Sequence, residues 1–118
     1  MKKSDSPYIA QMLECISHIR QYVGTQRYEE FLEDSKTQDA VLMQLQQIGE
    51  TAKRVSEEAR AEIDLPWKKI AGFRDVVVHE YYEILLSLVW NDVISKLHET
   101  EAPLAKYLEE HPIPEIKN

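Results

Sequence analysis

The stretch PWKKIAGFRDVVVHEYYEI, beginning at Pro66, gathers Lys68, Lys69, Arg74, His79, Tyr81 and Tyr82 in a chain that is otherwise acidic. No other stretch as short as that from Lys68 to Tyr82 gathers as many basic groups, histidines and phenolic hydroxyls taken together. A histidine titrating near neutrality can take the proton from a ribose 2′-hydroxyl or return one to a leaving oxygen. An arginine can grip a phosphate through two donors and stabilise the charge that develops on it. Together, Arg74 and His79 supply what RNA cleavage needs. Beyond Asp75 and Glu80 no carboxylates cluster beside them in the sequence, which gives a two-metal mechanism little support. No cofactor is expected. Spacing alone leaves a second reading open, in which Arg74 makes a structural salt bridge and His79 is a hydrogen-bonded, half-buried histidine.

Geometry constrains the first reading. Residues five apart on a straight helix are separated by about 140° around its axis. Arg74 and His79 can therefore meet one substrate only if the helix breaks between them or a second subunit brings its own pair alongside. A twofold dimer would place two arginines and two histidines around one cleft. The valines at 76, 77 and 78 are poor helix formers, which suits a break.

The elements that must hold this segment are helical. Glycines number three, and the five prolines lie at positions 7, 66, 103, 112 and 114. Ser6 and Pro7 mark a helix start, and Ile9, Met12, Leu13, Ile16, Ile19 and Val23 form one apolar stripe ending at Gly24. Tyr28, Phe31 and Leu32 make a short inward-facing turn. Ser35 and Gln38 form a capping box for a longer helix whose seam is Val41, Leu45, Ile48, Ala52 and Val55. Gly49 beside that seam signals close approach of another backbone or side chain, since a mid-helix glycine costs about 1 kcal/mol. Asp64, Leu65 and Pro66 end this helix. A short one follows from about Trp67 to Phe73, and a longer one from about Ile84 to His98. A last helical segment after Pro103 carries Leu104, Tyr107 and Leu108, and the tail HPIPEIKN is extended. The pattern is that of an all-α helical bundle.

Composition sets the outer limits. A chain of 118 residues has room for one domain, and Cys15, its sole cysteine, allows no intrachain disulfide and no cysteine-rich metal site. The opening MKKSDSPY lacks the apolar core of a signal peptide, and no apolar run is long enough to span a membrane. A cytoplasmic protein with no membrane partner is expected. The net charge of −7 repels polyanions, so RNA binding must be confined to a local basic pocket. The same charge suits a different class of protein, a non-catalytic helical module that binds and regulates another protein. A nucleotide-binding subunit has no phosphate-cradling glycine loop behind it. His18 reads as structural, His98 and His111 as residues near helix ends, Trp67 and Trp90 as core or interface anchors, and Glu99 to Glu110 as a solvated face.

An ordered set of markers carries a resemblance over nearly the whole chain. These are Ile48-Gly49-Glu50 with Ala52, then Pro66-Trp67, then Ile70, Gly72 and Arg74, and finally His79 and Tyr81 in the pattern R-x4-H-x-Y. The sequence resembles the HepT-like family of HEPN-domain ribonuclease toxins, which are encoded beside a minimal nucleotidyltransferase antitoxin. The resemblance implies a single HEPN-like domain over residues 1–118, an antiparallel bundle of four to five helices with an extended tail from about 111. It implies a homodimer with a composite, metal-independent endoribonuclease site, in which Arg74 binds phosphate and His79 acts as general acid or base. It also implies that the antitoxin transfers AMP onto Tyr81, with Tyr82 offering the same chemistry next door. The family often has asparagine after the arginine, where this chain has Asp75. That carboxylate can pair with Arg74 or orient His79, but it also repels phosphate. Glu50 is a further supporting residue.

Overall fold

The computed structural model describes residues 4–114 and is helical throughout, without strands among them. Four helices of eleven residues or more form the bundle: α1 (Ser6–Val23), α3 (Ser35–Ala52), α7 (Tyr82–Asp92) and α8 (Leu97–Glu110). Shorter helices connect them: α2 (Tyr28–Leu32), α4 (Glu57–Glu62), α5 (Trp67–Ala71) and α6 (Phe73–His79). Helices α1 and α3 are antiparallel, because Cys15 faces Gln47 while His18 faces Gln44. Helices α1 and α8 are antiparallel too: Arg20 pairs with Glu101 at 2.7 Å, and Ser6 at the other end donates its hydroxyl to the His111 carbonyl.

The apolar stripe of α1 is buried as its periodicity requires, with Leu13 partly covered at its edge. Gly24 closes the helix at φ 57°, its N–H donating to the Arg20 carbonyl. Along α3, Val41, Leu45, Ile48 and Ala52 face inward, and Val55 stays buried beyond the helix end. One contiguous core joins these residues to Phe31, Trp67, Ile70, Leu85, Val89 and Leu104. Trp67 donates its indole N–H to the Ile63 carbonyl at 2.9 Å, and Trp90 packs on Tyr28 and Phe31. Both tryptophans anchor the core or its margin, as expected.

Several local expectations are corrected. Asp5, not Ser6, precedes the first turn of α1. Asp34, not Ser35, caps α3: its carboxylate accepts from the Thr37 N–H at 3.1 Å and the Thr37 hydroxyl at 2.6 Å. Gln38 is therefore free to turn inward, where its side-chain amide donates to the Phe31 carbonyl at 2.8 Å. Leu32 and Ile84 face solvent rather than the core. The expected helix through Val55 stops at Ala52, and α4 begins separately after the Ser56 cap. The expected helix from Ile84 to His98 begins at Tyr82 and ends at Asp92. A 3-10 turn over Ile94–Lys96 redirects the chain, and His98 lies in the first turn of α8. Pro103 sits inside α8, where proline costs about 3 kcal/mol, and the burial of Leu97, Leu104 and Tyr107 on one face opposes that cost. Of the tail, His111 to Pro114 has no regular structure, and the remainder lies outside the described residues.

Candidate functional site

Gly49 decides where the segment that carries Arg74 sits. A Cβ on this residue would lie 3.3 Å from the Ile70 carbonyl, and 3.4 Å from both the Ala71 carbonyl and the Arg74 backbone nitrogen. The missing side chain lets α3 lie directly against the start of α6, as its place beside the seam predicted. The next residue, Glu50, is thereby brought under Arg74.

Glu50 Oε1 stands 3.6 Å from Arg74 Nε and 3.7 Å from Lys53 Nζ. At these distances the carboxylate makes charge contacts rather than hydrogen bonds. Both side chains of the Glu50–Arg74 pair are more than half exposed, so the pair is weak and open to displacement. Asp75 takes no part. It is exposed, and one residue along a helix is about 100° around the axis from Arg74. Its carboxylate has no hydrogen bond or ion pair among the described residues, so the sequence neighbour that looked able to hold Arg74 does not hold it. Lys69, a second cation of the cluster, pairs with Asp92 at 3.2 Å. The concentration of positive charge read from the sequence is thus partly neutralised in the fold.

Helix α6 runs unbroken through the three valines, and its last residue is His79. Of the two geometries that could bring Arg74 and His79 to one substrate, the break within the helix is absent. The two side chains leave a continuous helix about 140° apart and about 7.5 Å along its axis. His79 is exposed in the final turn of the helix. After Glu80, Tyr81 occupies the N-cap position of α7 with extended backbone angles, and its side chain is 80% exposed. Tyr82 is held differently. Its hydroxyl donates to Gln38 Oε1 at 2.6 Å, and burial, reinforced by the nearby Asp39 carboxylate, pushes its phenol above the usual range.

Arg74 and Glu50 form part of the wall of an open groove of about 750 Å3 over the α1–α3 pair, lined also by Gln11, Cys15, His18 and Gln47. His79 and Tyr81 lie outside it. His18, read from the sequence as structural, is hydrogen-bonded to Gln44 at 3.3 Å but remains partly open at this groove. The signal that would have placed it there is the antiparallel register of α1 and α3, which no local pattern reveals. Among the described residues no three of His, Cys, Asp and Glu converge as a metal-binding group. No helix among the described residues is long and apolar enough to cross a membrane.

The chain belongs to the ribonuclease HepT-like family, whose model matches residues 12–109. A protein of Thermococcus cleftensis named "Probable ribonuclease HepT" is 33% identical over 94 residues, covering 79% of this chain and 86% of the relative. A "Putative RNase" of Methanocaldococcus jannaschii is 34% identical over 97 residues, covering 81% and 80%. Another of that name, from Caldanaerobacter subterraneus, is 29% identical over 108 residues, covering 91% and 96%. No solved structure matches the chain.

Proposed function

We propose that this protein is a metal-independent endoribonuclease, the toxin of a toxin–antitoxin pair, with an active site completed only by a second copy of the chain. The observation that carries the reading is the continuity of α6 from Arg74 to His79. On one unbroken helix the two side chains diverge, whereas a twofold partner running alongside can set its His79 against the first chain's Arg74. In the resulting cleft Arg74 leaves the weak contact with Glu50 and grips the scissile phosphate. One His79 takes the proton from the ribose 2′-oxygen as that oxygen attacks phosphorus. The bond from phosphorus to the 5′-oxygen breaks, and that same His79, now protonated, returns the proton to the leaving oxygen. The products are a 2′,3′-cyclic phosphate and a free 5′-hydroxyl. Family membership and the names of the relatives support RNA as substrate.

The exposed Tyr81, two residues beyond His79, supports control by nucleotidyl transfer from a cognate nucleotidyltransferase. An AMP group there would carry phosphate and bulk to the mouth of the cleft and repel RNA.

A second reading is a non-catalytic module that docks on that nucleotidyltransferase. It is favoured by the exposed apolar surface of Val78, Tyr81 and Ile84. Cleavage of labelled RNA in EDTA by wild type, Arg74→Ala and His79→Ala decides between the two. The enzyme reading expects cleavage by wild type and none by either folded, dimeric variant. Intact RNA with all three proteins, or equal cleavage by all three, would leave the docking module. Expression alone should arrest growth only in the enzymatic case.

A further inference from the structure

Two adjacent tyrosines follow His79, and the fold treats them differently. Gln38 is 4% exposed, and its amide has only one available orientation. The Nε2 group donates to the Phe31 carbonyl at 2.8 Å, which turns Oε1 toward α7. There it accepts the Tyr82 hydroxyl at 2.6 Å. A flipped amide would set oxygen against the Phe31 carbonyl and leave a buried group unpaired. The orientation is therefore fixed by a backbone carbonyl in α2. Tyr82 is itself 48% exposed, so its hydroxyl is held inward by this hydrogen bond, on a helix anchored by the buried Leu85 and Leu86. Tyr81, in the cap position, accepts the Leu85 N–H on its backbone carbonyl, but its hydroxyl has no hydrogen-bond partner among the described residues and the residue is 80% exposed.

We propose that the Phe31–Gln38–Tyr82 hydrogen-bond relay withdraws the Tyr82 hydroxyl from electrophiles and so makes Tyr81 the single acceptor of the pair. Gln38 is a positioning residue, acting on the modification chemistry through Tyr82. The inference rests on the reading of this chain as a nucleotidyl acceptor. In that step a phenol oxygen attacks the α-phosphorus of ATP, the bond from this phosphorus to pyrophosphate breaks, and pyrophosphate leaves. The phenolic proton passes to a base of the transferring enzyme. An attacking oxygen must offer a free lone pair and release its proton outward. Tyr81 can do both, whereas the Tyr82 proton is committed inward to Gln38. Burial and Asp39, which disfavour the Tyr82 phenolate, act in the same direction.

The test uses N-acetylimidazole, a small acyl donor selective for phenols, on the folded chain, with peptide mapping by mass spectrometry over time. Tyr81 should be acetylated severalfold faster than Tyr82, whose hydroxyl must first leave its bond to Gln38. In Gln38→Met the Tyr82 rate should rise severalfold while the Tyr81 rate holds. Equal rates in wild type, or an unchanged Tyr82 rate in folded Gln38→Met, would overturn the relay. Should that variant fail to fold, the wild-type ratio decides alone. The acceptor reading is tested separately, by transfer from ATP with a nucleotidyltransferase. Absence of AMP on either tyrosine sinks that reading without touching the chemical ratio.

Discussion

Glu50, on α3, holds Arg74, on α6, at 3.6 Å, and shares its charge with Lys53. The arginine proposed to bind phosphate thus already has an anion beside it, and RNA must displace that anion. Because both side chains are largely exposed, the contact is worth no more than about 1 kcal/mol. Glu50→Gln should therefore leave stability almost unchanged and tighten RNA binding about two- to fivefold at low salt, fading as salt rises. Fluorescence anisotropy with a labelled RNA across a salt series measures this. Weaker binding by the variant would show that Glu50 orients Arg74 rather than competing with phosphate.

Gly49→Ala gains helix propensity but pushes a methyl against three backbone atoms of α5 and α6, none of which can rotate away. The expected net loss is about 1 kcal/mol, with Gly49→Val distinctly worse, because overpacking costs about 1–3 kcal/mol and valine adds its own restriction. Urea denaturation gives the stability. Cleavage should fall further than stability predicts, because α6 is what shifts.

A composite site makes a prediction about mixtures. Arg74→Ala and His79→Ala homodimers should each be inactive. Refolded together in equal amounts, they should recover about a quarter of wild-type activity, since half of the dimers are mixed and each mixed dimer holds one intact site. No recovery in a mixture shown to contain mixed dimers would place both groups of a working site on one chain.

Asp34 governs the acid limit. The Thr37 hydroxyl, then Gln26 and the Thr37 N–H, hold its carboxyl at about 2, below its ordinary 3.8. A depressed folded-state pKa contributes stability above the unfolded value, lost as pH falls through the folded one. Wild type should therefore lose thermal stability between about pH 4 and pH 2 more steeply than Asp34→Asn, whose cap cannot titrate. Parallel slopes in melting curves from pH 5 to pH 2 would remove Asp34 from the account.

Where the sequence was legible, local chemistry and tertiary packing agreed. The stripe from Ile9 to Val23, the stop at Gly24 and the close approach at Gly49 each follow from one residue type in one place. Ser35 and Gln38 show the opposite case. Their spacing satisfies a capping box, but Asp34 is the better acceptor and Gln38 has a buried carbonyl to serve. The turn after Asp92 has no glycine or proline to announce it, and Pro103 announces a stop that packing overrides. At the site, Arg74, His79 and Tyr81 could be picked out because they lie close together along the chain. The Glu50 contact and the Gln38 relay could not, since each joins helices whose registry is set by the core.

The unbroken run of α6 also governs how the activity responds to dose. If each copy holds half of a working centre, then well below the dimer dissociation constant the cleavage rate grows as the square of chain concentration. Halving the amount of protein removes three-quarters of the damage. A trickle of leaky synthesis is then nearly harmless, while a burst crosses a threshold. A cell carrying such a protein gains a noise filter from the straightness of one seven-residue helix.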